Sequence, residues 1–214
     1  MSFDGFPEQA LIFYEGLEAD NTKAYWSDHK ATYDICVAAP MRSLLGELEP
    51  EFGPAKLFRP YRDVRFAKDK TPYKTQAAAV VRGDGEDSLY LALSADGLVL
   101  GGGYHHLATD QSRRLRAAIA DELTGPPVAT VLDALRAASW QVGGEQLARI
   151  PKPWDDDHPR AGLLRNKSLT ASRAHPPQAW LHTAAAMDRV AEGWRQLRPL
   201  NDWLRQQVGM SRTL

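Results

Sequence analysis

A chain of 214 residues with 43% hydrophobic and 25% charged content can bury a core and lacks the charge excess of a disordered segment. A formal net charge of −1 excludes a broadly basic nucleic-acid binder. The single cysteine, Cys36, excludes an intrachain disulfide and fits a cytoplasmic setting, where it is expected to pack as a small apolar residue.

The N-terminus lacks the basic start and apolar stretch of a signal peptide, and no segment approaches the ~20 apolar residues of a membrane span, so no membrane partner is expected. In chain order, Phe6, Ala10, Phe13 and Leu17 recur at helical spacing. Asp20-Asn21 offers the N-cap of a second helix, whose stripe runs through Trp26, Tyr33, Val37, Met41, Leu44 and Leu48. Pro40 interrupts that stripe, as a kink or as the first-turn residue of a separate helix. The period then changes. Residues 75–82, 88–94 and 98–103 read as three strands, separated by Gly83-Asp84-Gly85 and by the hairpin signal Asp96-Gly97.

Helical spacing returns with Leu115, Ile119 and Leu123, an element that Gly125-Pro126-Pro127 should end. Val128, Val131, Leu132 and Leu135 predict another helix. Residues 140–142 and 147–150 around Gly143-Gly144 predict a second hairpin, and residues 168–174 one more strand. Trp180, Ala184, Met187, Ala191 and Trp194 mark a helix with Pro177 near its first turn, and Pro199 should break it before a short final helix. The aromatic stripe is read as core, not as a cofactor site. The order predicts α+β: an antiparallel meander plus an additional hairpin, packed with N-terminal helices and a long C-terminal helix, as one domain over 1–214.

The chemistry concentrates in Lys56–Thr75. Seven cations (Lys56, Arg59, Arg62, Arg65, Lys68, Lys70, Lys74) face two anions (Asp63, Asp69), a local charge of +5 that leaves −6 for the rest of the chain. If the segment is extended, Arg59, Tyr61, Asp63 and Arg65 share one side and Arg62, Val64 and Phe66 the other. Asp63 can then hold the guanidinium of Arg65 or Arg59. Asp69 can bond its own backbone two residues on, in a turn that brings Lys70 and Lys74 to one surface. Arginine forks beside a lysine and a tyrosine hydroxyl suit a phosphate or carboxylate. The plainer alternative is a row of solvated cations guarding a strand edge.

The run Arg62-Asp63-x-Arg65-Phe66-x-Lys68-Asp69-Lys70-Thr71-Pro72-Tyr73-Lys74-Thr75 resembles the signature of the domain-of-unknown-function 2461 family of bacteria. Asn21-Thr-Lys-Ala-Tyr-Trp26 with Lys30 and Tyr33, Gly101-Gly102-Gly103-Tyr104, and Asp157-His158-Pro159 with Leu163-Leu164-Arg165 are similar to it as well. The resemblance runs from about Phe6 to Leu204. It implies a single α+β domain and carries no established activity, and Thr22 stands where the family pattern often has a second Asn.

Two hypotheses follow. In the first, Arg59, Arg62, Asp63, Arg65, Lys70 and Lys74 form a ligand-binding site for a small anion, with Tyr73 and His158 as candidate acid/base groups. Whether it is an enzyme stays open. In the second, the block binds nucleic acid or an acidic protein partner without chemistry, using Tyr61 or Tyr73 as stacking surfaces. No cofactor fingerprint, nucleophile elbow or phosphate-cradling glycine loop is present. No metal is expected: Tyr104-His105-His106 would place adjacent imidazoles on opposite strand faces, and Asp155-Asp156-Asp157 lacks a second ligand cluster.

Overall fold

In the computed structural model, residues 2–63, 65, 68–84 and 86–212 are described. The chain forms two compact units. The first holds Met1–Val81, Tyr90–Leu100 and Ala174–Glu192; the second holds Arg82–Leu89, Gly101–Arg173 and Gly193–Leu214. Among the described residues, six strands form one antiparallel sheet in the order β1-β2-β3-β4-β6-β5, comprising β1 (Ala55–Leu57), β2 (Gln76–Arg82), β3 (Ser88–Ser94), β4 (Gly97–Tyr104), β5 (Gln141–Gly143) and β6 (Leu169–His175). The α+β expectation holds, with the meander β2-β3-β4 where the alternation placed it. The tripeptide β1 was not anticipated. It pairs Leu57 with Ala79, too short a run to leave a periodic signal.

In the first unit, α1 (Glu8–Ala19) buries Ala10, Phe13 and Leu17. Helix α2 (Lys23–Thr32) is capped not by Asp20 or Asn21 but by Thr22, whose hydroxyl accepts from the Tyr25 amide at 3.2 Å. Pro40 takes the second of its two expected roles, the first-turn residue of a separate helix. A turn of π-helix, Tyr33–Ala38, leads directly into α3 (Ala39–Phe52), with Pro40 in its first turn. Proline has no N–H to give and its ring crowds the carbonyl four residues back, so the wider turn relieves both demands while Val37, Met41 and Leu44 stay buried. Cys36 lies in this turn, only half-buried. At the β3–β4 turn, Gly97 has φ +101, and a Cβ there would overlap the His175 carbonyl.

In the second unit, α4 (Thr109–Ala120) buries Leu115 and Ile119, but Leu123 lies beyond its end and is 85% exposed. Gly125-Pro126-Pro127 opens α5 (Gly125–Ala137) instead of merely closing α4, because proline is pre-set for a first turn. The additional antiparallel pair is present, but β5 takes β6 as its partner in place of 147–150, with Val142 opposite Ala171. The short α6 (Ala161–Leu164) precedes β6. Glycines 102 and 103 serve close backbone approach: at Gly103, with φ +106, a Cβ would overlap the Leu169 carbonyl.

Helix α7 (Ala185–Gln207) starts later than the stripe suggested, since Trp180 sits in a 3-10 turn, Ala179–His182. It also runs straight through Pro199. Trp194, Leu197, Leu200, Trp203 and Leu204 are all buried, and this packing outweighs the hydrogen bond that proline removes.

Candidate functional site

The basic block lies in the first unit, folded back on itself as a narrow ladder. The Arg62 amide donates to the Pro72 carbonyl at 2.9 Å and the Lys74 amide to the Pro60 carbonyl at 2.8 Å. Tyr61 and Tyr73 form the bridge between them, a non-hydrogen-bonded antiparallel pair, the kind that brings side chains closest. Their rings are 5.5 Å apart.

Both tyrosines turn toward α2. Tyr73 is buried and stacks on Trp26 at 4.4 Å with planes 8° apart. Tyr61 leans on Trp26 at 5.8 Å and stays 47% exposed. Asn21 clamps the ladder from the front of α2. Its Nδ2 donates to the Tyr73 carbonyl and its Oδ1 accepts from the Tyr73 amide, both at 3.1 Å. This is why Asn21 does not cap the helix: its amide is spent on a strand 52 residues away. Burial, then the nearby Tyr61 phenol, raises the Tyr73 hydroxyl above its ordinary pKa.

Alternation puts Arg62 and Lys74 on the opposite side of the ladder from the tyrosines. The Lys74 ammonium donates to the Arg59 carbonyl at 3.0 Å and lies 5.3 Å from the Phe58 ring centre. Partial burial lowers its pKa, and the positive charges of Arg59 and Arg62 lower it further. The neighbours of Lys74 are thus a carbonyl, an aromatic face and two arginines.

Each carboxylate of the block organises one guanidinium. Asp63 accepts from Arg65 Nε at 2.9 Å and Nη2 at 2.6 Å, the expected fork, and these bonds hold its pKa below the usual carboxylate value. Asp69 accepts from the Thr71 amide at 2.9 Å and hydroxyl at 2.8 Å, the expected turn, and also pairs with Arg62. The Thr71 bonds, chiefly that from the amide, lower its pKa. Arg59, Arg65 and Lys70 are exposed. Val64 and Phe66, assigned to the other face of the strand, lie outside the described residues.

His158 belongs to the second unit. Its Nδ1 accepts from the Arg160 amide at 3.1 Å, and its own amide donates to the Asp155 carbonyl. The neighbouring acids are turn material: Asp155 Oδ1 accepts from the Asp157 amide, and Asp156 pairs with Arg165 at 2.6 Å. His105 and His106 do not diverge as strand neighbours would. The strand ends at Tyr104, and in the bend that follows their rings lie 4.3 Å apart. Among the described residues, no three His, Cys, Asp or Glu gather as metal ligands.

A family model matches residues 9–203, and both the ladder and the Asp155–His158 loop fall inside the match. The chain belongs to that family, Conserved hypothetical protein (DUF2461). No curated protein and no solved structure matches the chain. In this DUF2461 protein, no helix is long and apolar enough to cross a membrane among the described residues.

Sequence reasoning singled out the block but missed Asn21 and Trp26 as its supports. Their signal was present in the Asn21-Thr-Lys-Ala-Tyr-Trp26 segment, whose role only the tertiary pairing with Tyr73 explains.

Proposed function

We propose that the protein, acting in the cytoplasm as one domain over 1–214, binds a small phosphate- or carboxylate-bearing ligand at the cations around Lys74, through Lys74, Arg62 and Arg59. The observation that supports this most is Lys74, a half-buried ammonium set beside two arginines. Like charges so placed repel one another, and an anion among them would relieve that cost. Asp63 and Asp69 hold Arg65 and Arg62 as pre-ordered forks, which reduces the entropy lost on binding, and Lys70 extends the charge along the same segment.

Isothermal titration of inorganic phosphate, citrate and nucleoside monophosphates into the wild type and Lys74→Ala tests this reading. Saturable binding that weakens at least about tenfold in Lys74→Ala, the worth of one charge-assisted hydrogen bond, is expected. Equal binding to both proteins, or none to either, would overturn it.

Exposed Tyr61 favours a second reading, in which the block docks single-stranded nucleic acid by stacking on Tyr61 without chemistry. That reading requires affinity that falls steeply with salt and is lost in Tyr61→Ala.

A further inference from the structure

The second unit contains a cavity of about 370 Å³ that the sequence did not announce. Its walls combine an apolar floor of Ala129, Val142 and Leu163 with the polar side chains of Arg136, Gln146, Arg160 and Asn166. That volume lies in the range of pockets that hold small organic molecules.

Several of its polar groups have hydrogen-bonding capacity to spare. Arg160, with a side chain only 10% exposed, donates through Nε to the Ile119 carbonyl at 2.6 Å and through Nη2 to the Ala120 carbonyl and Glu122, closing the end of α4. Its Nη1 donates to no described residue. Asn166, almost fully buried, accepts from Gln146 Nε2 at 2.8 Å through Oδ1, which fixes the orientation of both amides; the Asn166 Nδ2 donates to no described residue. Among the described residues Arg136 is held only by Asp133, at 2.7 Å, an exposed pair of the kind that contributes little and exchanges readily. The spare groups of Arg136, Arg160 and Asn166 are all donors, two of them cationic. Spare donors and apolar side chains lining one cavity suit a ligand with acceptor oxygens at one end and hydrocarbon at the other.

Two glycines complete the wall. A Cβ built on Gly143 or on Gly162 meets nothing within 4 Å, although both residues line the cavity. Neither has the positive φ that would demand glycine. A side chain at either position would therefore have open space before it, on residues that line the cavity.

We propose that this cavity is a binding site for a short-chain aliphatic carboxylate, its carboxylate on Arg136, Arg160 and Asn166 and its hydrocarbon on Ala129, Val142 and Leu163. The site stands independently of the basic ladder.

The test is a 15N–1H NMR titration of the whole protein with isovalerate and, separately, with its uncharged isostere isovaleramide. Saturable shifts at the Gly143 and Gly162 amides are expected, with the carboxylate bound about tenfold more tightly than the amide. Gly143→Leu and Gly162→Met should fill the cavity and abolish the shifts. Arg136→Gln, at an exposed position where folding is not at stake, should weaken isovalerate about tenfold and leave isovaleramide unchanged. Equal affinity for the two probes, the absence of saturable shifts at both glycines, or unchanged isovalerate affinity in Arg136→Gln would overturn the proposal.

Discussion

Two ion pairs, one in each unit, do opposite work. In the first unit Asp63 grips Arg65 in full view of solvent, with side chains 48% and 77% exposed. In the second, Arg205 reaches Asp87, whose side chain is only 4% exposed, with Nη2 at 3.0 Å and Nε at 3.3 Å. The exposed pair is screened and costs side-chain entropy, so its value lies in where it holds a charge. Arg205 is itself 44% exposed, but the pair cannot be split without leaving the buried Asp87 carboxylate short of its partner, so its value lies in the fold. Charge at the ladder is displayed; charge at Asp87 is contained.

Arg205→Ala breaks the contained pair most directly. It should cost about 3 kcal/mol of stability by urea unfolding, because Asp87 is left desolvated without its partner. A loss no greater than that of an ordinary surface substitution would show that water replaces the guanidinium.

Asn21→Ala removes both hydrogen bonds that pin the ladder to α2, at about 1 kcal/mol each, so about 2 kcal/mol is expected. If the ladder serves binding, anion affinity should fall along with stability, and an unchanged affinity would separate the two.

Asp63→Asn should leave the unfolding midpoint unchanged within error while freeing Arg65 to move, seen as faster solvent exchange of its Nε–H by NMR than in the wild type. A clear shift in midpoint would mean that the exposed pair supports the fold after all.

The smallest effect concerns pH. Asp63 and Asp69 have folded-state pKa values below their ordinary ones, so their contribution is complete above the unfolded carboxylate value near 4 and is lost as pH falls through the lower folded values. Lys74 behaves with the opposite sign for ligand: its lowered pKa means that anion binding should take up protons at alkaline pH. Titration calorimetry in two buffers of different ionisation enthalpy measures that uptake directly, and zero uptake at every pH would remove Lys74 from the site.

The fold was legible where periodicity and punctuation agree. The stripe of α1, the meander around Asp96-Gly97 and the core face of α7 all follow from spacing, because burial of one face is what spacing encodes. It was illegible where long-range packing overrides a local signal. Pro199 should break a helix, yet Leu197, Leu200 and Leu204 hold it in one. Residues 147–150 looked like the natural partner of β5, but the partner arrives with Leu169. The candidate site divides the same way. The Asp63–Arg65 fork and the Asp69 turn are contacts between residues two apart, and sequence reasoning reached both. Asn21 on Tyr73 and the cavity beside Gly143 depend on segments that meet only in the folded chain.

The π-turn at Tyr33–Ala38 also bears on what changes of length this helix can absorb. A π-turn accommodates one residue more than an α-helical turn while leaving the flanking helix intact, which is how a single inserted codon survives inside a helix. Ile35, 69% exposed within that turn, is a large apolar side chain that the core does not use. Deleting it should restore a continuous α-helix with Trp26 and Met41 still facing the core, whereas deleting a neighbour in α3 would rotate everything on one side of the gap. Length variation among relatives should therefore be tolerated in this stretch before anywhere else in the helical run.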